Sequence, residues 1–161
     1  MQQLESASAM FEVITAQNGQ TSFELHSKVQ FKPWSKAVFF DCLTAPYFAN
    51  QLKIAEQVQG YYIGLQVLDE ITLMDIAVDP VKQGQGLGRQ ILMHFIQQCR
   101  MRNGAEIWLE VRESNSAAQH LYTNSGFELI EKRKKYYQTE TGTESAIIMK
   151  LSLSDKMVQL Q

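Results

Sequence analysis

Between Asp79 and Leu87 the chain changes from one residue periodicity to another, and that change constrains the fold more than any other feature of the sequence. Upstream, "ITLMDIAV" (residues 71–78) is rich in the β-branched and apolar residues of a strand. Downstream, Leu87, Ile91, Phe95 and Cys99 recur every four residues with Leu92 and Ile96 beside them, the spacing of an amphipathic helix. The join contains Gly84, Gly86 and Gly88, glycines at alternate positions. A helix start leaves backbone N–H groups without carbonyl partners and carries partial positive charge, so a glycine loop leading into one is a natural phosphate cradle. A side chain on those glycines would hold the anion away. The same glycines also suit a chain that merely turns, and at this point both readings stand.

Two well-known phosphate loops can be tested on the residues. A P-loop needs Lys and then Ser or Thr directly after its last glycine, whereas Gly88 is followed by Arg89 and Gln90. A dinucleotide fingerprint needs a tight strand-to-helix turn and a third glycine three positions after the second. Here Gly84 lies six positions beyond Val78 and position 89 is Arg. Neither loop fits.

The remaining segments predict one mixed α/β domain over residues 1–153 and a short tail over 154–161. "MFEVITAQ" (residues 10–17) reads as a first strand, and Thr21 with Glu24 has capping-box spacing for a helix ending near Gln30. Ser35 caps a second helix whose inner face holds Val38, Phe39, Cys42 and Leu43, with Pro46 as its stop. Residues 47–79 read as a three-strand meander. Gly104 closes the long helix and "EIWLEV" follows as a strand. "SAAQHLYTNS" is a helix between the cap Asn115 and the stop Gly126, and "FELIEKRKKYY" and "ESAIIMKLSL" are the last strands.

The pattern Gln83-x-x-Gly86-x-Gly88, between the strand "MDIAVDP" and a long helix, resembles the coenzyme A pyrophosphate loop of the GNAT family of N-acetyltransferases. The likeness runs from about Met10 to Leu153, because the order of elements also matches. "PWS" at residues 33–35, "DIAVDP", "WLEVRESNSAAQHLY", "GF" and "KKYY" are similar to the ribosomal-protein alanine acetyltransferase branch, the RimI type. The resemblance implies a mixed, mostly antiparallel sheet flanked by helices and splayed at the coenzyme site. It also implies acetyl-CoA as co-substrate, the N-terminal alanine of a small-subunit ribosomal protein as acceptor, and direct transfer within a ternary complex; a lysine side chain or small amine as acceptor, or a coenzyme-binding regulatory module without turnover, are the competing readings.

Site residues follow from the same resemblance. The backbone of Ile76, Ala77 and Val78 would bond the pantetheine arm, with the Val78 N–H near the thioester oxygen. That of Gly84, Gln85, Gly86, Leu87, Gly88 and Arg89 would hold the pyrophosphate. Position 84 departs from the family's larger, often basic residue, which implies a looser grip. Asn115 matches a further coenzyme contact, although as a helix cap it has a sufficient local role. Tyr122 stands where the family keeps its general acid. Glu110 stands at the general base, and strand alternation puts it on one face with Trp108 and Arg112. A plain ion pair to Arg112 or another nearby cation is the competing reading for that carboxylate. Tyr136 and Tyr137 match positions lining the peptide groove, and Trp34 either lines it too or only anchors the second helix. An α-amino group is already roughly 10–20% neutral at pH 7 and a lysine well under ~0.1%, so an N-terminal acceptor asks less of Glu110.

Charge and cysteine usage bound what remains. Fifteen basic against seventeen acidic residues give a net charge of −2, which disfavours a broad electrostatic grip on nucleic acid or an anionic membrane. Two distant cysteines in apolar surroundings read as free thiols of a reducing, cytoplasmic compartment. No signal peptide or membrane span is expected. His26, His94 and His120 lack metal-ligand spacing with the cysteines and read as surface or boundary residues, so no metal is expected. The chain is expected to work as a monomer or weak dimer.

Overall fold

The structure, a computed structural model, describes residues 8–153; the tail over 154–161 lies outside the described residues. Its elements in chain order are β1 (Ala9–Val13), α1 (Gln20–Val29), α2 (Lys36–Asp41), β2 (Tyr47–Ile54), β3 (Gln57–Val67) and β4 (Glu70–Val78). A 3-10 turn (Pro80–Lys82) follows, then α3 (Leu87–Met101), β5 (Glu106–Arg112), α4 (Ser116–Asn124), β6 (Glu128–Thr139) and β7 (Gly142–Ser152). The strands run in the hydrogen-bonded order β1-β2-β3-β4-β5-β7-β6. β1 pairs β2 antiparallel, β5 and β6 each pair β7 antiparallel, and β4 pairs β5 parallel.

The described residues cluster into two compact units, one holding residues 8–63 together with Asp75–Leu92, the other Gly64–Met74 and residues 93–153. In the first, α1 and α2 bury Leu25, Phe39 and Cys42 against Ile14, Ala49, Tyr61, Ile63 and Ala77. In the second, Ile71, Phe95, Cys99, Ile107, Leu109, Phe127 and Met149 are buried. Burying side chains of this size stabilises by about 1.5–3 kcal/mol each before the entropy cost of ordering them.

Several expected boundaries differ, each for a local reason. β1 stops at Val13 because the Asn18 side chain turns the chain: its Oδ1 accepts from Thr15 N–H at 2.7 Å and its Nδ2 donates to Val13 C=O at 3.0 Å. The capping box does not form. α1 begins two residues earlier than the box needs, with Gly19 as its N-cap and no side-chain cap, and Glu24 instead accepts from Gln20 Nε2 at 3.3 Å. Ser35 does cap α2, accepting from Val38 N–H at 3.2 Å. Val38 itself is exposed, since neighbours on a helix point about 100° apart and Phe39 takes the inward direction. α2 ends at Asp41, well before Pro46.

The end of α3 corrects another assignment. The left-handed residue is Asn103 (φ 59°), not Gly104. Gly104 follows it and donates its N–H to Cys99 C=O at 2.9 Å, and a Cβ there would sit 3.0 Å from that same backbone oxygen and 2.6 Å from Ile71 Cδ1. The two hairpins of the meander turn on Ala55, Glu56 and Leu68, all at positive φ.

Candidate active site

The loop opening α3 belongs to the first unit. Gly84 and Gly86 have φ of +84° and +79°, the left-handed region where a side chain is strained. Left-handed residues in alternation are a backbone pattern that gathers N–H groups into a concave anion site. Gly86 C=O accepts the first helical bond from Gln90 N–H at 3.2 Å, so Leu87, Gly88 and Arg89 occupy the positions whose N–H groups have no carbonyl within the helix. The first turn holds no acidic residue and does hold Arg89, so nothing in it repels an anion. Leu87 and Ile91 are buried and fix the helix start. A phosphate group fits this donor set.

β4 leads into that loop with Ile71, Leu73, Asp75 and Ala77 on its buried face. Its parallel ladder with β5 covers Glu70/Glu106, Ile71/Ile107 and Thr72/Trp108, while β4 runs on to Val78. The backbone of Ile76–Val78 thus lies past the end of that ladder. On its other side β4 is held to β3, where Asp79 N–H donates to Gln59 C=O at 2.8 Å. β3 presents Gly60 there: a Cβ on Gly60 would lie 2.5 Å from Ala77 C=O and 3.3 Å from Val78 Cα. Gly60 is a site-shaping residue that reading the sequence missed, and only its place within an otherwise β-rich run hinted at close backbone approach.

The second unit carries the two residues matched to proton transfer. Alternation along β5 buries Ile107, Leu109 and Val111 and turns Trp108, Glu110 and Arg112 the other way, as expected. Glu110 does pair with a cation, but the cation is Arg133, at 3.3 Å, and Tyr137 donates its hydroxyl hydrogen to Glu110 Oε2 at 3.2 Å. Arg112 instead binds Glu144 at 2.8 Å and lies over the Tyr137 ring at 4.5 Å. A register shift between Arg133 and Tyr137 on β6 allows this, since a bulge re-aims the residues that follow it. Of Tyr136, matched to the peptide groove, only the backbone of β6 is described.

Tyr122 is buried in α4, its ring 5.7 Å from that of Phe127. Asn115 caps the same helix by accepting from Ala118 N–H at 3.1 Å, and its side chain is otherwise solvent-facing. Both cysteines are free and buried. Burial pushes the Cys99 thiol up to about 12, and burial with the nearby Asp41 charge raises Cys42, so neither is a thiolate at neutral pH. Among the described residues, no three of His, Cys, Asp and Glu gather as metal ligands, and no helix is long and apolar enough to cross a membrane. His120 is exposed and His94 half-buried, its imidazole pulled down by burial. His26 is no surface residue: it is 2% exposed, in contact with Asp75.

Comparison with known proteins gives concordant matches. The Acetyltransferase (GNAT) family model matches residues 11–127. The [ribosomal protein bS18]-alanine N-acetyltransferase of Escherichia coli (strain K12) is 41% identical over 133 residues, which is 83% of this chain and 90% of that protein. That of Haemophilus ducreyi is 40% identical over 145 residues, 89% of this chain and all of that one. The crystal structure of the ribosomal-protein-S18-alanine N-acetyltransferase from Escherichia coli superposes with a TM-score of 0.87 at 37% identity, covering 91% of this chain and 95% of that one.

Proposed function

The chain belongs to the GNAT acetyltransferase family, and from that premise we propose that it acetylates the N-terminal alanine of a small-subunit ribosomal protein, using acetyl-CoA. The observation that carries this reading is the left-handed glycine loop at the head of α3, a set of backbone donors that suits an anion, one 3-10 turn beyond the strand matched to the thioester. The acceptor comes from the relatives named for ribosomal protein bS18, each about 40% identical over most of both chains.

Bound acetyl-CoA supplies an activated acyl group. The loop amides of residues 84–89 hold its pyrophosphate, and the backbone of Ile76–Val78 aligns the arm. The Val78 N–H stabilises negative charge on the carbonyl oxygen as the amine attacks. Glu110, open to solvent beside Arg133, takes the proton that the acceptor ammonium must lose before it attacks; the Tyr122 hydroxyl gives its proton to the departing sulfur and is reprotonated, through solvent, by the second proton that the nitrogen sheds as the amide forms. Protonated, buried Cys42 and Cys99 offer no thiolate to carry the acetyl group, which favours direct transfer.

Incubation with acetyl-CoA and a peptide panel varying the first residue, each with its lysines free or blocked, tests this. Acetylation is expected on the α-amine of alanine-first peptides whether lysines are free or blocked. Modification confined to lysine would overturn the acceptor assignment.

Asn115 separates two roles in a single experiment. Asn115→Ala should cost about 1 kcal/mol of stability through the lost cap, whereas Asn115→Asp keeps a cap and should leave the melting temperature near native. If Asn115 also meets the coenzyme, the added negative charge in Asn115→Asp raises the KM for acetyl-CoA severalfold. An unchanged KM reduces Asn115 to a cap.

A further inference from the structure

Asp75 breaks the apolar alternation of β4 on its buried face, and the structure shows what it meets. Its Oδ2 accepts from the Tyr61 hydroxyl at 2.6 Å and lies 2.7 Å from His26 Nδ1, while Oδ1 accepts from Gln30 Nε2 at 2.7 Å. His26 Nε2 lies 2.8 Å from the backbone N–H of Trp34, which can only donate. Nε2 must therefore be the bare nitrogen, and the ring proton sits on Nδ1, where it donates to Asp75. The imidazole also lies 4.9 Å from the Trp34 indole and 5.4 Å from the Phe39 ring. Among the described residues, no buried side-chain nitrogen or oxygen lacks a partner.

Such a group is costly to build. Desolvating a carboxylate costs several kcal/mol, and replacing a buried polar set with apolar side chains of equal volume is often neutral or stabilising. What a fully satisfied network supplies is a fixed geometry. Here the fixed parts are identifiable. Asp75 directly precedes Ile76–Val78, and Trp34 lies in the irregular segment joining α1 to α2, between Gln30 and the α2 cap Ser35. The burial and the Asp75 charge push the Tyr61 phenol far above its usual range, so it remains a donor throughout.

We propose that His26 is a positioning residue: by bridging Asp75 and the Trp34 N–H, it fixes the segment 31–35 against the strand that aligns the coenzyme, and so sets the acceptor side of the site. The proposal rests on the acetyltransferase reading above and on the match of Trp34 to the peptide groove that the family resemblance implies. An imidazole does this with one donor and one acceptor on a rigid ring, and a glutamine amide offers the same pair.

The test is steady-state kinetics of the full chain, with each substrate varied separately. His26→Leu removes the bridge while keeping a buried side chain. It should raise the KM for the peptide about tenfold, the size of effect expected from one lost buried hydrogen bond, and leave the KM for acetyl-CoA within about twofold. His26→Gln should restore the peptide KM to within about threefold of native. A purely structural role would lower the melting temperature and leave both KM values near native, and that result in a folded His26→Leu overturns the proposal. Nitrogen NMR of the native chain supplies a test that needs no variant: His26 should be protonated on Nδ1 and bare on Nε2. The opposite tautomer overturns the bridge, since it cannot accept from Trp34. If the native chain modifies another amine instead of alanine peptides, the acceptor reading fails by itself, and the same KM comparison with that amine still decides the role of His26.

Discussion

Tyr122→Phe should lower kcat for peptide acetylation by about 10²–10³-fold, within the range contributed by a positioned general acid, with the KM for acetyl-CoA within about twofold of native. The thiolate of coenzyme A is a poor leaving group at neutral pH without a proton, and Tyr122 is the residue we assign to deliver it. The variant is clean because Tyr122 is 5% exposed and packs its ring on Phe127, so phenylalanine fills the same space and only the hydroxyl is lost. Losing the hydroxyl should cost about 1 kcal/mol of stability, which leaves the chain folded. Single-turnover measurement with saturating acetyl-CoA reads the chemical step directly. A native rate in Tyr122→Phe would remove the tyrosine from the mechanism and leave water as the proton source.

The parts of the site legible in the sequence are those set by local rules. The periodicity switch placed β4 and α3, the period-two pattern placed Glu110 on the face opposite Leu109 and Val111, and Asn115 read correctly as a cap. Local rules failed where a distant contact decided. Gly104 does help close α3, donating its N–H to Cys99 C=O at 2.9 Å, but the left-handed turn is made by Asn103, and the missing side chain at 104 also admits Ile71 from β4. Thr21 and Glu24 have capping-box spacing, but the Asn18 turn and Gly19 begin the helix upstream of them. Arg133 reaches Glu110 across β7, a pairing that no spacing along one strand reveals. His26 and Asp75 are 49 positions apart, although one signal was available: an acidic residue at the buried phase of β4 needs a polar partner.

Gly60→Ala should damage stability and coenzyme binding together, and the geometry explains why the two effects cannot be separated there. The added Cβ would meet Ile91 Cδ1 at 2.5 Å, which a rotamer change can relieve. It would also meet Ala77 C=O at 2.5 Å, which cannot rotate away, so β4 must withdraw from β3 at Ala77 and Val78. Overpacking of this kind costs about 1–3 kcal/mol, and in a chain of this size each kcal/mol lowers the melting temperature by roughly 2–4 °C. The displaced backbone is the one proposed to align the thioester, so the KM for acetyl-CoA should rise severalfold in the fraction that remains folded. Gly84→Ala is the control for the stability effect. Nothing lies within 4 Å of a Cβ at that position, so its penalty is the left-handed φ of +84°, about 1–2 kcal/mol confined to an exposed loop. Thermal melts of the two variants should therefore diverge, with Gly60→Ala the less stable. Native binding in a folded Gly60→Ala would mean that β4 can shift there without consequence, and the alignment assigned to Ile76–Val78 would have to be given up.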